Sequence, residues 1–247
     1  MKALFVPVFI IAIFAMLGMA NATLSYVSNT ITTPIDYPQN AIYTINDIYG
    51  GVLPYTFNVY VTNSNAVLSN TWIGSNTFSP GTTNAIIITI NSMSTNSLQV
   101  TAYNGVQSSA NTLFSNTIST GTSNTVYGAW TFNAFFVDST GANTIASSNT
   151  LTIYPQPSVT LTPSNTVLDS GQTETYTIAV YNGKGPFNVE LYNISSGSKA
   201  KESNVTISSP GGSNTISFTV NSPTSSNTFE YNAIVTDQGT STHYVFN

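Results

Sequence analysis

Few residues in this chain could do chemistry. The 247-residue sequence holds one histidine, no cysteine, four Lys+Arg and nine Asp+Glu. A serine triad would need a well-placed imidazole, and His243 lies close to the end of the sequence. A glycosidase needs two carboxylates facing each other across a sugar, whereas the carboxylates here are scattered singly. Asp138 and Asp237 precede Gly-containing turns, where Asp bonds the local backbone. No Asp-x-Asp-x-Asp run exists, so calcium would have to rely on backbone carbonyls. Without cysteine there is no thiol catalysis, no disulfide and no Cys-ligated metal. Nucleic-acid binding by phosphate neutralisation needs a basic patch, and Lys2, Lys184, Lys199 and Lys201 cannot build one. The expectation is a protein with no catalytic activity and no cofactor or metal.

Two kinds of residue remain as candidates for binding or modification. Trp72 and Trp130 could stack on sugar rings. Trp130 alternates with Phe132 and Ala134 and reads more readily as core than as a sugar platform; Trp72 follows an Asn-Thr entry and reads equally as inward. Asn193 and Asn204 each begin an Asn-x-Ser/Thr acceptor for N-glycosylation; Asn21 does too, but lies in the leader.

These residues must be carried by strands. Ala85–Ile90 and Ser217–Val220 are β-branched and aromatic, and Tyr176–Val180 alternates apolar with polar. Turn residues recur at short intervals, as in a sandwich or barrel, and no stretch after the leader keeps a 3.6-residue period. A recurrent Ser/Ala-Asn-Thr-apolar device, seen at Asn70, Asn111, Asn116 and Asn143 among others, reads as a turn-to-strand entry. Hydrophobic residues make up 41% of the chain, enough for a packed core, while charged residues make up only 5%.

Residues 1–22 have the anatomy of a secretory signal peptide: Lys2, an apolar run, then Ala20-Asn21-Ala22, with cleavage between Ala22 and Thr23. No later apolar run is long enough to span a bilayer. The protein is therefore expected outside the cell or on its surface, stable through core packing and strand ladders alone.

The two halves of the remaining sequence repeat each other. Asp36–Ile45 lines up with Asp169–Ile178, Gly51–Tyr60 with Gly183–Tyr192, and Asn133–Asp138 with Asn232–Asp237. The first copy is longer, and Leu98–Ser119 is the candidate insertion, an added hairpin. Tyr154-Pro155-Gln156-Pro157-Ser158 joins the copies, with two prolines to stiffen it. The expected organisation is signal peptide 1–22, sandwich 23–154 with a hairpin near 98–119, linker 155–158 and sandwich 159–247.

Asp169–Gln172 before a strand, the Gly50–Phe57 turn and the Val235–Gly239 ending carry a resemblance. They resemble the tandem immunoglobulin-like repeats of archaeal cell-surface proteins, PKD-like in outline though without the Trp-Asp-Phe-Gly-Asp-Gly signature. The resemblance implies two tandem immunoglobulin-like β-sandwich domains used for spacing, adhesion or surface assembly, and no catalytic residues. The partners it implies are other surface proteins or glycans, or copies of the chain itself.

Two alternatives accompany this reading. The neutral edges of the first sandwich lack the usual charged defence, which suits a filament subunit assembling by β-strand donation, with Leu24–Ile35 as donor. The tryptophans suit a carbohydrate-binding accessory protein. The scarcity of titrating groups also predicts tolerance to acid.

Overall fold

The computed structural model describes residues 22–65, 68–81, 83–194, 198–205, 215–221, 230–237 and 242–246. The leader 1–21 lies outside the described residues. Ten strands come first: β1 (Ser28–Ile31), β2 (Ile35–Asp36), β3 (Ala41–Asn46), β4 (Tyr55–Asn63), β5 (Thr71–Phe78), β6 (Ala85–Ser94), β7 (Ser97–Asn104), β8 (Thr112–Ser119), β9 (Gly128–Val137) and β10 (Thr144–Tyr154). They form two sheets, β1-β3-β6-β7-β8 and β2-β10-β9-β4-β5. Seven more follow: β11 (Ser158–Pro163), β12 (Thr173–Tyr181), β13 (Phe187–Asn193), β14 (Ser198–Val205), β15 (Thr215–Asn221), β16 (Tyr231–Asp237) and β17 (Thr242–Phe246). These form sheets β11-β12-β15 and β14-β13-β16-β17.

Removing β7, β8 and the short β2 leaves β1-β3-β6 over β10-β9-β4-β5. That is the strand order of the second pair of sheets, element for element. The registers agree as well. Phe57 faces Phe136 as Val189 faces Val235, and Tyr43 faces Ile88 as Tyr176 faces Phe218. This strand order, with a first strand that switches sheets to run parallel to the last (β2 on β10), is the immunoglobulin-like Greek-key sandwich. The β7–β8 hairpin extends the first sheet beyond β6, where the second copy has no further strand among the described residues.

Alternation decides what enters each core. β4 buries every second residue, so Tyr55, Phe57, Val59 and Val61 point inward while Thr56, Asn58, Tyr60 and Thr62 do not. Phe57 stacks on Phe136 with ring centroids 5.0 Å apart and on Phe114 at 6.0 Å, so aromatic contacts join the two sheets. Tyr43, Phe132 and Trp130 are fully buried beside them. Among the described residues the second core is built on Ile178, Phe187, Val189, Leu191, Phe218 and Val235. Tyr176 is only half-buried there, at the rim against Tyr231.

Three expectations change. Trp130 presents no face to a ligand: it is fully buried, and its indole N–H donates to the Val126 carbonyl at 2.6 Å. The segment Leu24–Ile35 is laid into its own sandwich. Leu24 and Ile35 are core residues, β1 pairs with β3, and Ser25 bridges Tyr49. The Asn-Thr device is a strand entry at Asn70, Asn111 and Asn143, but Asn29, Asn76, Asn116 and Asn149 lie inside strands. There the side-chain amides act as stitches. Asn116 donates to the Ile73 carbonyl at 2.6 Å and Asn76 to the Leu113 carbonyl at 2.5 Å, tying the β5 edge to the β8 edge. An unpaired edge carbonyl needs a donor, and an amide on a short stem reaches one without bringing a charge.

Candidate functional site

The first feature built twice is a corner around a carboxylate. Asp138 follows β9, and its Oδ2 accepts the Val52 N–H at 3.2 Å and the Asn143 side-chain amide at 2.5 Å. Its Oδ1 accepts the Thr140 hydroxyl at 2.6 Å and the Thr140 N–H at 3.1 Å. The hydrogen bonds from Asn143 and Thr140 hold the carboxyl well below the usual carboxylate range, against a smaller opposing effect of burial. In the second copy Asp237 Oδ2 accepts the Lys184 N–H at 2.5 Å. The chain enters each sandwich at the same turn: the Ala22 carbonyl accepts the Gly51 N–H, and the Pro155 carbonyl accepts the Gly183 N–H at 2.9 Å. Lys184 Nζ also lies 5.2 Å above the ring of Tyr154, the last residue of β10, a cation–π contact beside the same turn. This corner is structural. Donors on both oxygens saturate the Asp138 carboxylate, which suits a clamp and leaves no lone pair directed at a substrate, and Asp237 repeats its bond to the turn.

The second feature is the outer face of the sheet β2-β10-β9-β4-β5. Trp72 on the edge strand β5 is 56% exposed and stands opposite Tyr60 on β4. Tyr60 in turn packs edge-to-face on the exposed Phe135 of β9 at 5.6 Å. Three aromatic rings therefore spread over three adjacent strands. Sequence reasoning found Trp72 and missed Tyr60 and Phe135. The signal was present in Phe135-Phe136: neighbours on a strand point to opposite faces, so one of the pair has to face out.

A buried polar chain crosses between the sheets of the first sandwich. The Tyr43 hydroxyl and the Ser147 hydroxyl lie 2.6 Å apart, and the Asn29 amide donates to Ser147 at 2.7 Å. Burial pushes the Tyr43 phenol up to about 12, with the Ser147 hydrogen bond working against the shift.

The remaining candidates lie apart. Asn193 ends β13 and its amide donates to the Tyr231 hydroxyl at 3.5 Å. Asn204 lies on β14, opposite Asn188. Thr23 follows Ala22 where the chain meets the Gly50 turn. His243 is on β17, paired with Thr236. Among the described residues no group of three His, Cys, Asp or Glu is placed to hold a metal, and no helix is long and apolar enough to cross a membrane.

No protein-family model matches the chain, and no curated protein matches it. Among solved structures it is similar to a three-immunoglobulin-domain segment of titin, an E-to-A variant, at 10% identity. The match covers 92% of this chain and 97% of that one, with a TM-score of 0.30. The immunoglobulin-like assignment rests on strand order and register, not on that loose superposition.

Proposed function

We propose that the chain is a non-catalytic structural and adhesion module, exported and displayed at the cell surface. In this reading residues 1–22 are the signal peptide, cleaved between Ala22 and Thr23. Residues 23–154 and 159–247 are the two sandwiches, and 155–158 is the linker. The observation that carries the reading is the corner where the chain enters the second sandwich. There the Pro155 carbonyl accepts the Gly183 N–H, and the buried Asp237 accepts the Lys184 N–H of the same turn. A spacer needs its second sandwich held firmly to the segment before it, and this joint supplies that.

Antibody raised against residues 159–247 is expected to label intact cells. Label appearing only after lysis would overturn the surface assignment. Deleting residues 23–35 distinguishes this reading from strand donation. The module reading expects the first sandwich to unfold, since Leu24 and Ile35 leave its core. A folded monomer obtained from a wild-type multimer would favour donation instead.

A second reading, carbohydrate recognition, is favoured by one observation: exposed aromatic rings and uncharged amides share the outer sheet faces. Asn193 and Asn204 are proposed as glycan acceptors on the second sandwich.

A further inference from the structure

We propose that the inserted β7–β8 hairpin builds a binding groove for an uncharged saccharide, separate from the Trp72 face. The proposal rests on the carbohydrate-recognition reading and names its site. A cleft of about 490 Å³ opens on the outer surface of β6, β7 and β8, within the range of small-ligand sites. Its lining includes Asn91, Gln99, Thr101, Tyr103, Gln107 and Ser115, and no charged or aliphatic residue.

The strands set the floor. Asn91 stands opposite Gln99, and Thr101 stands between Thr89 and Ser115, so their side chains share one face. Thr101 is 7% exposed at the bottom, its hydroxyl 2.7 Å from that of Ser115. The loop from β7 to β8 supplies a wall, and it is braced. The Gly105 N–H donates to the Ala85 carbonyl at 2.8 Å, the Asn111 amide to the Val106 carbonyl at 3.2 Å, and the Thr112 hydroxyl to the Ser108 carbonyl at 3.2 Å. The cleft is thus formed before any ligand arrives, which lowers the entropy lost on binding.

The chemistry of the lining selects the ligand class. The amides of Asn91, Gln99 and Gln107 make no hydrogen bond among the described residues, and each offers both donors and an acceptor. Such pairs match vicinal sugar hydroxyls, which also donate and accept. Tyr103 adds a ring edge or face for the C–H surface of a pyranose. A phosphate or a carboxylate would find no cation here, and an apolar ligand would strand the amides. Among the described residues the second copy shows no strands equivalent to β7 and β8, so the site is placed on the first sandwich.

The test is a titration of the full exported chain with uncharged tetrasaccharides of glucose, mannose, galactose and N-acetylglucosamine, each to ~10 mM. Backbone amide shifts are the readout. The expected result is shifts confined to residues 91, 99–103, 107–109, 112 and 115 for at least one sugar. Affinity should fall at least tenfold in Gln99→Ala and in the exposed-loop variant Gln107→Ala, and stay unchanged in Trp72→Ala. Shifts that map to Trp72, Tyr60 and Phe135, and vanish in Trp72→Ala, would overturn the groove while keeping carbohydrate recognition. No shift with any sugar would overturn both.

Discussion

A Cβ placed on Gly51 would lie 3.1 Å from the Cβ of Asp138 and 3.2 Å from its Oδ2. Gly51 also holds φ at +62°, which L side chains rarely adopt. The same fit recurs between Gly183, at φ +77°, and Asp237, whose Oδ2 would lie 2.8 Å from the added atom. Turn and carboxylate are therefore mutually required, twice. Gly51→Ala is expected to destabilise the first sandwich by about 1–3 kcal/mol, and Gly183→Ala the second by a similar amount. Urea midpoints followed by fluorescence would check this. An unchanged midpoint would mean the turn relaxes freely.

Acid should matter little until it is strong. The folded carboxyl of Asp138 is held below its ordinary range, so its stabilisation is complete at pH values above about 4. It drains progressively as pH falls from there to the lower folded value. Glu174 has the same sign: burial pushes it up, but bonds from the Asn165 N–H and the Ser164 hydroxyl and backbone bring it below the usual value. The melting temperature at pH 2 is expected within ~15 °C of that at pH 7. In Asp138→Asn the remaining acid dependence should shrink. A larger fall in the wild type would refute acid tolerance.

Alkali has a different target. The Tyr43 phenol titrates near 12 when folded and near 10 when unfolded. Its stabilisation is whole below about pH 10 and is lost as pH rises toward 12, by up to about 2–3 kcal/mol. Tyr43→Phe should cost about 1 kcal/mol at pH 7 through the missing Ser147 bond, then show a flatter alkaline limb. Denaturation curves at pH 7 and 11.5 for both proteins give the comparison. Equal alkaline losses would exclude Tyr43 as the source.

The tryptophans should separate cleanly. Trp130→Ala empties a filled core position and is expected to cost about 3–5 kcal/mol. Trp72→Ala removes an exposed edge residue and should stay within about 0.5 kcal/mol. Differential scanning calorimetry reads both. A destabilised Trp72→Ala would assign that ring a packing role.

Strand content, the doubled framework and the inward faces were legible in the residues because they depend on neighbours along the chain. A period of two places Phe57 and Val59 on one face whatever lies opposite. The paired Asp and Gly positions were visible as repeats, and the local turn bonds of Asp138 followed from its place before a glycine-containing turn. The reach of Asp138 to Val52 was not visible, because that contact depends on β4 and β9 lying side by side.

By itself the amino-acid sequence determined a chain of alternating strands, nearly free of charge and thiol, written out twice. Only the tertiary structure decided which polar residues work together. It turned mid-strand asparagines into stitches between sheet edges, sent Trp130 inward and Trp72 outward, and curved a loop over Gln99 and Tyr103 to make a cleft. The physical reason is range: burial patterns are set by spacing along one strand, whereas edges, corners and clefts exist only where strands distant in sequence meet.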